Sequence, residues 1–254
     1  SHPGVSEAEL AFLQAVPEKM TAALQAFLDV HCRNLSETER TACIQSTVLN
    51  NVASPTANLN TVYELLQDAA LYRQLQQRMV ALTDELLQDA VSQRLDSSFF
   101  VHYAPNLGRD DSGQEVIWCA DETGSATTDF QFMLRGAIKE AGVLALLNRY
   151  YLDKLGHHPL GVGFSAREAP RTMANMLALA KQALDPALLP TIVGVGDTVT
   201  SQAVEEDGQT VFKRGGSDRN FLQLIQDLGQ AFNTPTVVAY VDSSGGELKN
   251  RRPL

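Results

Sequence analysis

The chain has 254 residues, 44% hydrophobic and 20% charged, which suits one large or two modest globular domains and excludes collagen-like and wholly disordered chains. Thirty acidic against twenty basic residues give a net charge of −10, so neither nucleic acid nor an anionic membrane surface is expected as a partner. No apolar run approaches the roughly 18–20 residues of a membrane span.

Ser6 with Glu9 forms a capping box before Leu10, Leu13, Leu24, Phe27 and Leu28, so the chain opens in a helix. Pro17 interrupts that pattern and leaves one helix or two open. A second box, Ser36 with Glu39, starts a helix that reaches about Leu49. Residues 50–60 are crowded with turn formers and cannot be regular throughout. From Thr61 to Leu95, Leu65, Leu66, Leu75, Met79, Leu82 and Leu86 recur at helical spacing, as one long helix or two in tandem. Ser98–Ala104, Glu115–Cys119 and Thr127–Leu134 have strand composition, with a polar loop over residues 106–113 as a hairpin connection. The first half thus reads as helices on a small antiparallel sheet.

The pattern changes near Arg135–Gly136, where we place a domain boundary: 1–135 and 136–254. Ile138–Leu155 is expected to be helical, and Ser165 with Glu168 is expected to cap a helix running through Ala183. Thr191–Val195 is a short continuous apolar run, as in a buried parallel strand. Ser217–Leu228 reads as a helix closed by Gly229, and Thr236–Val241 as a further strand. Asp207-Gly208, flanked by Val204 and by Val211 with Phe212, signals a hairpin between the two. Helix and strand alternate here as in an α/β unit.

Chemistry concentrates at three points. Asp197, in Gly194-Val195-Gly196-Asp197-Thr198, falls just past a strand end, where open α/β sheets bind ligands; it is equally readable as a cap on the next turn. Mg²⁺ takes one or two carboxylates plus phosphate oxygens, so an Asp here is chemically sensible. Asp218 opens the following helix, either as a helix cap or as a second acidic group, and the intervening hairpin brings it near Asp197. Lys139 begins a helix against the dipole preference, which suits an ammonium that meets an anion, or else a surface lysine with a buried stem. Asn58, Asn60, His102, Tyr103, Asn106, Arg109, Asp129 and Thr198 are candidates for a sugar-binding pocket or simple turns and caps. His157-His158 lacks neighbouring metal ligands in sequence. Cys32, Cys43 and Cys119 are an odd set without C-x-x-C spacing, expected to be reduced thiols of a cytoplasmic protein.

Lys139-Glu140-Ala141-Gly142 with Leu146-Leu147, the Gly-Asp strand end and Asp218 resemble the C-terminal half of haloacid-dehalogenase-like phosphatases. Longer stretches are similar to the glucosylglycerol-phosphate phosphatases of cyanobacteria: residues 50–60, 99–110, 128–136 and 194–202. The resemblance covers His2 to Leu254. It implies a Rossmann-like α/β core, of which residues 136–254 are the C-terminal half, with residues 1–135 as a mixed α+β cap that reads the non-phosphate part of the substrate. It implies Mg²⁺ as cofactor, Lys139 in the catalytic lysine role, and Asp197 and Asp218 as metal ligands. The implied reaction is hydrolysis of glucosylglycerol phosphate to the compatible solute glucosylglycerol and phosphate, in the cytoplasm, under salt stress. No D-x-D nucleophile segment followed by Gly or Thr occurs in these residues. The chain therefore reads as a piece beginning downstream of the nucleophile at Ser1. A phosphatase of another sugar phosphate and an inactive sugar-phosphate-binding module are the other readings. The sequence does not specify the oligomeric state.

Overall fold

The fold is that of a computed structural model, which describes residues 4–110, 114–121, 126–197, 199–206, 209–215 and 218–241. The chain divides into two compact units, Val5–Arg135 and Gly136–Leu254, the latter joined by the N-terminal residues through Gly4.

In the first unit, α1 (Glu7–His31) starts at the Ser6/Glu9 capping box and carries Pro17 inside one continuous helix. Helix α2 (Glu37–Thr47) is likewise boxed by Ser36 and Glu39. The turn-rich stretch that follows supplies two short strands, β1 (Val48–Leu49) and β2 (Thr56–Asn58). The long helical pattern resolves into α3 (Asn60–Leu66) and α4 (Ala69–Ser92). Gln67 turns left-handed at φ 49°, and Asp68 caps α4 by accepting from the Leu71 N–H. Strands β3 (Phe99–Ala104) and β6 (Asp129–Leu134) pair antiparallel in full register, completing a sheet of order β1-β2-β6-β3. The expected loop over 106–113 is corrected in its first half. Asn106–Arg109 is a strand, β4, paired antiparallel with β5 (Glu115–Ile117).

Alternation along the strands decides what each face does. Phe99 and Phe132 stack on Phe12 of α1, and the Tyr103 hydroxyl meets that of Thr83 on α4 at 2.7 Å. Phe99, Phe132 and Tyr103 therefore face the helices, with Phe130, Met20, Leu24, Leu75 and Met79 buried in the same core. Asn58, His102, Asp129 and Gln131 point to the opposite face, as the pairs Asn58↔Asp129 and His102↔Gln131 require.

In the second unit, α5 (Lys139–Leu155) ends at Gly156 in the left-handed conformation. Ser165 caps only a 3₁₀ turn (Ala166–Glu168); the helix expected to continue from it begins anew as α6 (Met173–Ala183), capped by Thr172. Pro170 is the reason: it holds Ala169 in an extended conformation, which no helix can pass through. Strand β7 (Ile192–Gly196) pairs in parallel with β10 (Thr236–Tyr240). Between them lie the hairpin β8 (Thr200–Glu206) with β9 (Gln209–Gly215), and α7 (Arg219–Phe232). The Asp207-Gly208 turn itself lies outside the described residues. Gly229 does not close α7, which runs on to Asn233 at φ 51°. Gly229 is buried instead, because a Cβ there would sit 2.5 Å from Thr236 Cγ2. The core of this unit joins Val143, Leu147 and Tyr151 of α5 to Met176 and Ala180 of α6 and to Leu224, Ile225 and Leu228 of α7. No helix among the described residues is long and apolar enough to cross a membrane.

Candidate functional site

Lys139, Asp197 and Asp218, separated by as many as 79 positions, meet at the carboxyl end of β7. The crossover brings them together. Strand β7 ends at Gly196, the hairpin departs and returns, and Asp218 is the residue from which α7 starts. Glycine makes this approach possible. A Cβ on Gly196 would lie 3.0 Å from Asp218 Cβ, 3.1 Å from its Oδ2 and 2.8 Å from Leu222 Cδ1.

The Asp218 side chain is 4% exposed, and both its oxygens accept from this cluster. Oδ1 accepts from Lys139 Nζ, and Oδ2 accepts from the Asp197 backbone N–H at 3.0 Å. A buried carboxylate requires such partners, and here they hold the ammonium and the strand end together. Lys139 is the first residue of α5, and its side chain is half exposed, so the ammonium is anchored yet reachable. Asp197 is exposed. The arrangement presents an ammonium beside a carboxylate where parallel strands end, able to meet an anion and a hard cation together.

The fit to Mg²⁺ differs between the two acidic residues. Asp197 offers an accessible carboxylate at the strand end, which suits an ion that takes one or two carboxylates and completes its shell with water and phosphate oxygens. Asp218, the second expected ligand, engages Lys139 through Oδ1 and the Asp197 backbone N–H through Oδ2. No group of three or more His, Cys, Asp or Glu able to hold a metal occurs among the described residues. That holds for His157 and His158, and for Cys32, Cys43 and Cys119 as well. All three cysteines are free thiols, and burial pushes those of Cys32 and Cys43 up.

In the first unit the sugar-pocket candidates separate by sheet face. Asn58 Nδ2 donates to Asp129 Oδ1 at 2.7 Å, and the Asn58 Oδ1 accepts from the Asn60 N–H at 3.2 Å, which fixes the entry to α3. Asp129 is 3% exposed, and its charge, after burial itself, helps push the Tyr72 hydroxyl well up. His102 Nδ1 lies 3.0 Å from Glu115 Oε2. The same oxygen accepts from the Tyr103 N–H at 2.8 Å and from Asn106 Nδ2 at 3.2 Å. Tyr103 lies on the helix face at 4% exposure, its hydroxyl paired with that of Thr83. Arg109 ends β4, but its side chain lies outside the description, as does Thr198 entirely.

Sequence reasoning missed Glu115 and Gln131. Gln131 was readable, because Phe130, Phe132 and Leu134 alternate with it and Asp129, which puts both polar residues on one face. Glu115 had no local signal, since it reaches from the β4–β5 hairpin to His102 and Tyr103 of β3. The cleft between α1 and α4, lined by Ala8, Ala11, Ala15 and Leu86, contains none of the candidates.

Fold and site together define a mixed α/β protein whose second unit gathers a lysine and two aspartates at the carboxyl end of a parallel strand. A family model described as glucosylglycerol-phosphate phosphatase matches residues 1–254. A Synechocystis protein named glucosylglycerol-phosphate phosphatase is 58% identical over 255 residues, covering 100% of this chain and 60% of that relative. The chain belongs to the glucosylglycerol-phosphate phosphatase family, and it spans three fifths of the length of this curated relative. No solved structure matches the chain.

Proposed function

We propose that the protein to which this chain belongs is a Mg²⁺-dependent phosphatase of the haloacid-dehalogenase-like type, releasing glucosylglycerol and phosphate from glucosylglycerol phosphate in the cytoplasm as part of salt tolerance. The observation that carries the reading is the Lys139–Asp218–Asp197 cluster at the end of β7, in a chain 58% identical to a protein of that name. Attack on phosphorus comes from an aspartate upstream of these residues, with an aspartyl-phosphate as intermediate. Lys139 offsets charge on the phosphoryl oxygens and on the attacking carboxylate, and Asp218 positions its ammonium. Asp197 is the residue that would hold Mg²⁺, and the bound ion would supply charge neutralisation on the phosphoryl oxygens. Residues 1–135 act as the cap. Asn58 and His102, on one sheet face, with Asn106, supply amide and imidazole partners for sugar hydroxyls, and the buried Asp129 orients Asn58.

The test is phosphate release by the full reading frame. Asp197→Asn should lower turnover by about 10²–10³-fold, the scale of losing one electrostatic stabiliser of the transition state, and weaken the Mg²⁺ dependence. Lys139→Ala should lower kcat more than it raises KM. A full-length protein that binds the sugar phosphate but never releases phosphate is a binding module and refutes the reading. One that prefers another sugar phosphate moves the substrate.

A further inference from the structure

Beside the polar face of the first unit's sheet lies a carboxylate that the proposed chemistry leaves unused. The Glu115 side chain, on β5, is 8% exposed, and its oxygens accept from groups on β3 and β4. Tyr103 N–H and Asn106 Nδ2 reach Oε2 at 2.8 and 3.2 Å, and His102 Nδ1 lies 3.0 Å from Oε2 and 3.1 Å from Oε1. An ionised carboxylate only accepts, so His102 Nδ1 carries the proton, and in the neutral ring Nε2 is left as an acceptor.

Gln131 of β6 stands directly opposite His102 in the antiparallel register, which sets their Cβ atoms about 4.5–5.5 Å apart. Among the described residues neither His102 Nε2 nor the Gln131 amide has a hydrogen-bond partner, and neither is sealed from solvent. Asn58 differs: its Oδ1 accepts from the Asn60 N–H and its Nδ2 donates to Asp129, which leaves one amide hydrogen. The unspent hydrogen-bonding capacity of this face therefore concentrates on one cross-strand pair. The next pair on the same face, Phe100 opposite Met133, is apolar and half-buried. No Lys or Arg occurs in β2, β3 or β6, and Glu115 and Asp129 add negative charge, which disfavours a phosphate here.

We propose that His102 Nε2 and the Gln131 amide form a hydroxyl-reading pair for the uncharged part of the substrate, with Glu115 as the positioning residue that keeps Nε2 an acceptor; the identity of that substrate rests on the phosphatase reading. A sugar hydroxyl donates its proton to Nε2, the Gln131 amide nitrogen donates to that hydroxyl's oxygen, and the amide oxygen serves the adjacent hydroxyl. Phe100 and Met133 meet the C–H groups between them. Ring and amide are both neutral, so the pair selects by the placement of hydroxyls rather than by charge.

The test uses the full reading frame, with glucosylglycerol itself as the probe, in titration calorimetry and in NMR of the histidine ring nitrogens at about pH 9, where an imidazole is neutral. Wild-type His102 should appear as the Nδ1–H tautomer, and glucosylglycerol should shift its Nε2 resonance. Gln131→Met keeps the length and removes the amide, and should weaken glucosylglycerol binding roughly 5–10-fold, the scale of one neutral hydrogen bond. Glu115→Gln should invert the tautomer. Its amide oxygen would take over the Tyr103 N–H, and its nitrogen, in place of the oxygen 3.1 Å from Nδ1, would donate to the ring and leave Nε2 protonated. Binding should fall by a similar factor, and KM for the sugar phosphate should rise more than kcat falls. Unchanged affinity in Gln131→Met, a wild-type His102 in the Nε2–H tautomer, or a tautomer that Glu115→Gln leaves in place would overturn the inference. So would a wild-type protein that does not bind glucosylglycerol. Binding and tautomer need no turnover, so a protein that holds glucosylglycerol through this pair yet releases no phosphate refutes the phosphatase reading alone.

Discussion

The same substitution, glycine to alanine, should have opposite signs at Gly194 and Gly142. At Gly194 the new methyl would lie 2.6 Å from Ile225 Cδ1 and 3.0 Å from Leu222 Cδ2. Both are buried side-chain ends on α7, so they can yield only by disturbing the core. Overpacking of this kind costs about 1–3 kcal/mol. Removing glycine's backbone freedom in a strand returns roughly 0.5–1 kcal/mol, leaving a net loss of about 1–2. At Gly142, in α5, nothing lies within 4 Å of the added methyl. There only the helix-propensity gain remains, about 0.5–1 kcal/mol. The two variants should therefore differ by about 2 kcal/mol, or roughly 8 °C in melting temperature at about 4 °C per kcal/mol. Thermal unfolding followed by far-UV circular dichroism reads the difference directly. A Gly194→Ala protein as stable as wild type would refute the direct packing of α7 on β7, and with it the geometry that delivers Asp218 to Asp197.

Three further outcomes follow from buried polar groups. Gln76 is fully buried, donates to the carbonyls of Trp118 and Thr127 and accepts from the Ala120 N–H. Gln76→Met should thus cost about 3 kcal/mol or more and red-shift the emission of Trp118, the single tryptophan. Tyr103→Phe should cost about 1 kcal/mol in urea unfolding and leave the KM for the sugar phosphate unchanged, because its hydroxyl serves Thr83 rather than a ligand. Burial holds the hydroxyls of Tyr72, Tyr103 and Tyr151 up, that of Tyr151 to about 12. The native state keeps protons that the unfolded chain releases above about pH 10, so this stability is full below pH 10 and is lost as pH rises toward 12. Tyr151→Phe should flatten the alkaline loss in a pH series of unfolding curves, and an unchanged slope would show that Tyr151 is not held protonated by the fold.

Much of the local structure was legible in the residues alone, because it rests on interactions within one turn or one strand. The Ser6/Glu9 and Ser36/Glu39 boxes form as read, since each closes over three residues. The apolar runs that became β7 and β10 needed no partner to be recognised. Readings went astray where a neighbour in space or a single residue outweighed the pattern. Pro170 splits the helix expected from Ser165, and Gly229 is a packing residue rather than a stop. Asn106–Arg109 became a strand because β5 was there to receive it; in isolation the segment is a polar loop.

The candidate site divides in the same way. Asp197, Asp218 and Lys139 were each suggested by position: one at a strand end, two at helix starts. Composition and periodicity also settled the α/β character of the second unit. What only the tertiary structure decided is who pairs with whom. Asp218 holds Lys139 and the Asp197 backbone because Gly196 lets α7 close on β7, and Tyr103 belongs to the core because Thr83 waits for it on α4. Periodicity along a chain reports which way a side chain points; the partner it finds there is set by elements tens of residues away, and no local pattern encodes that meeting.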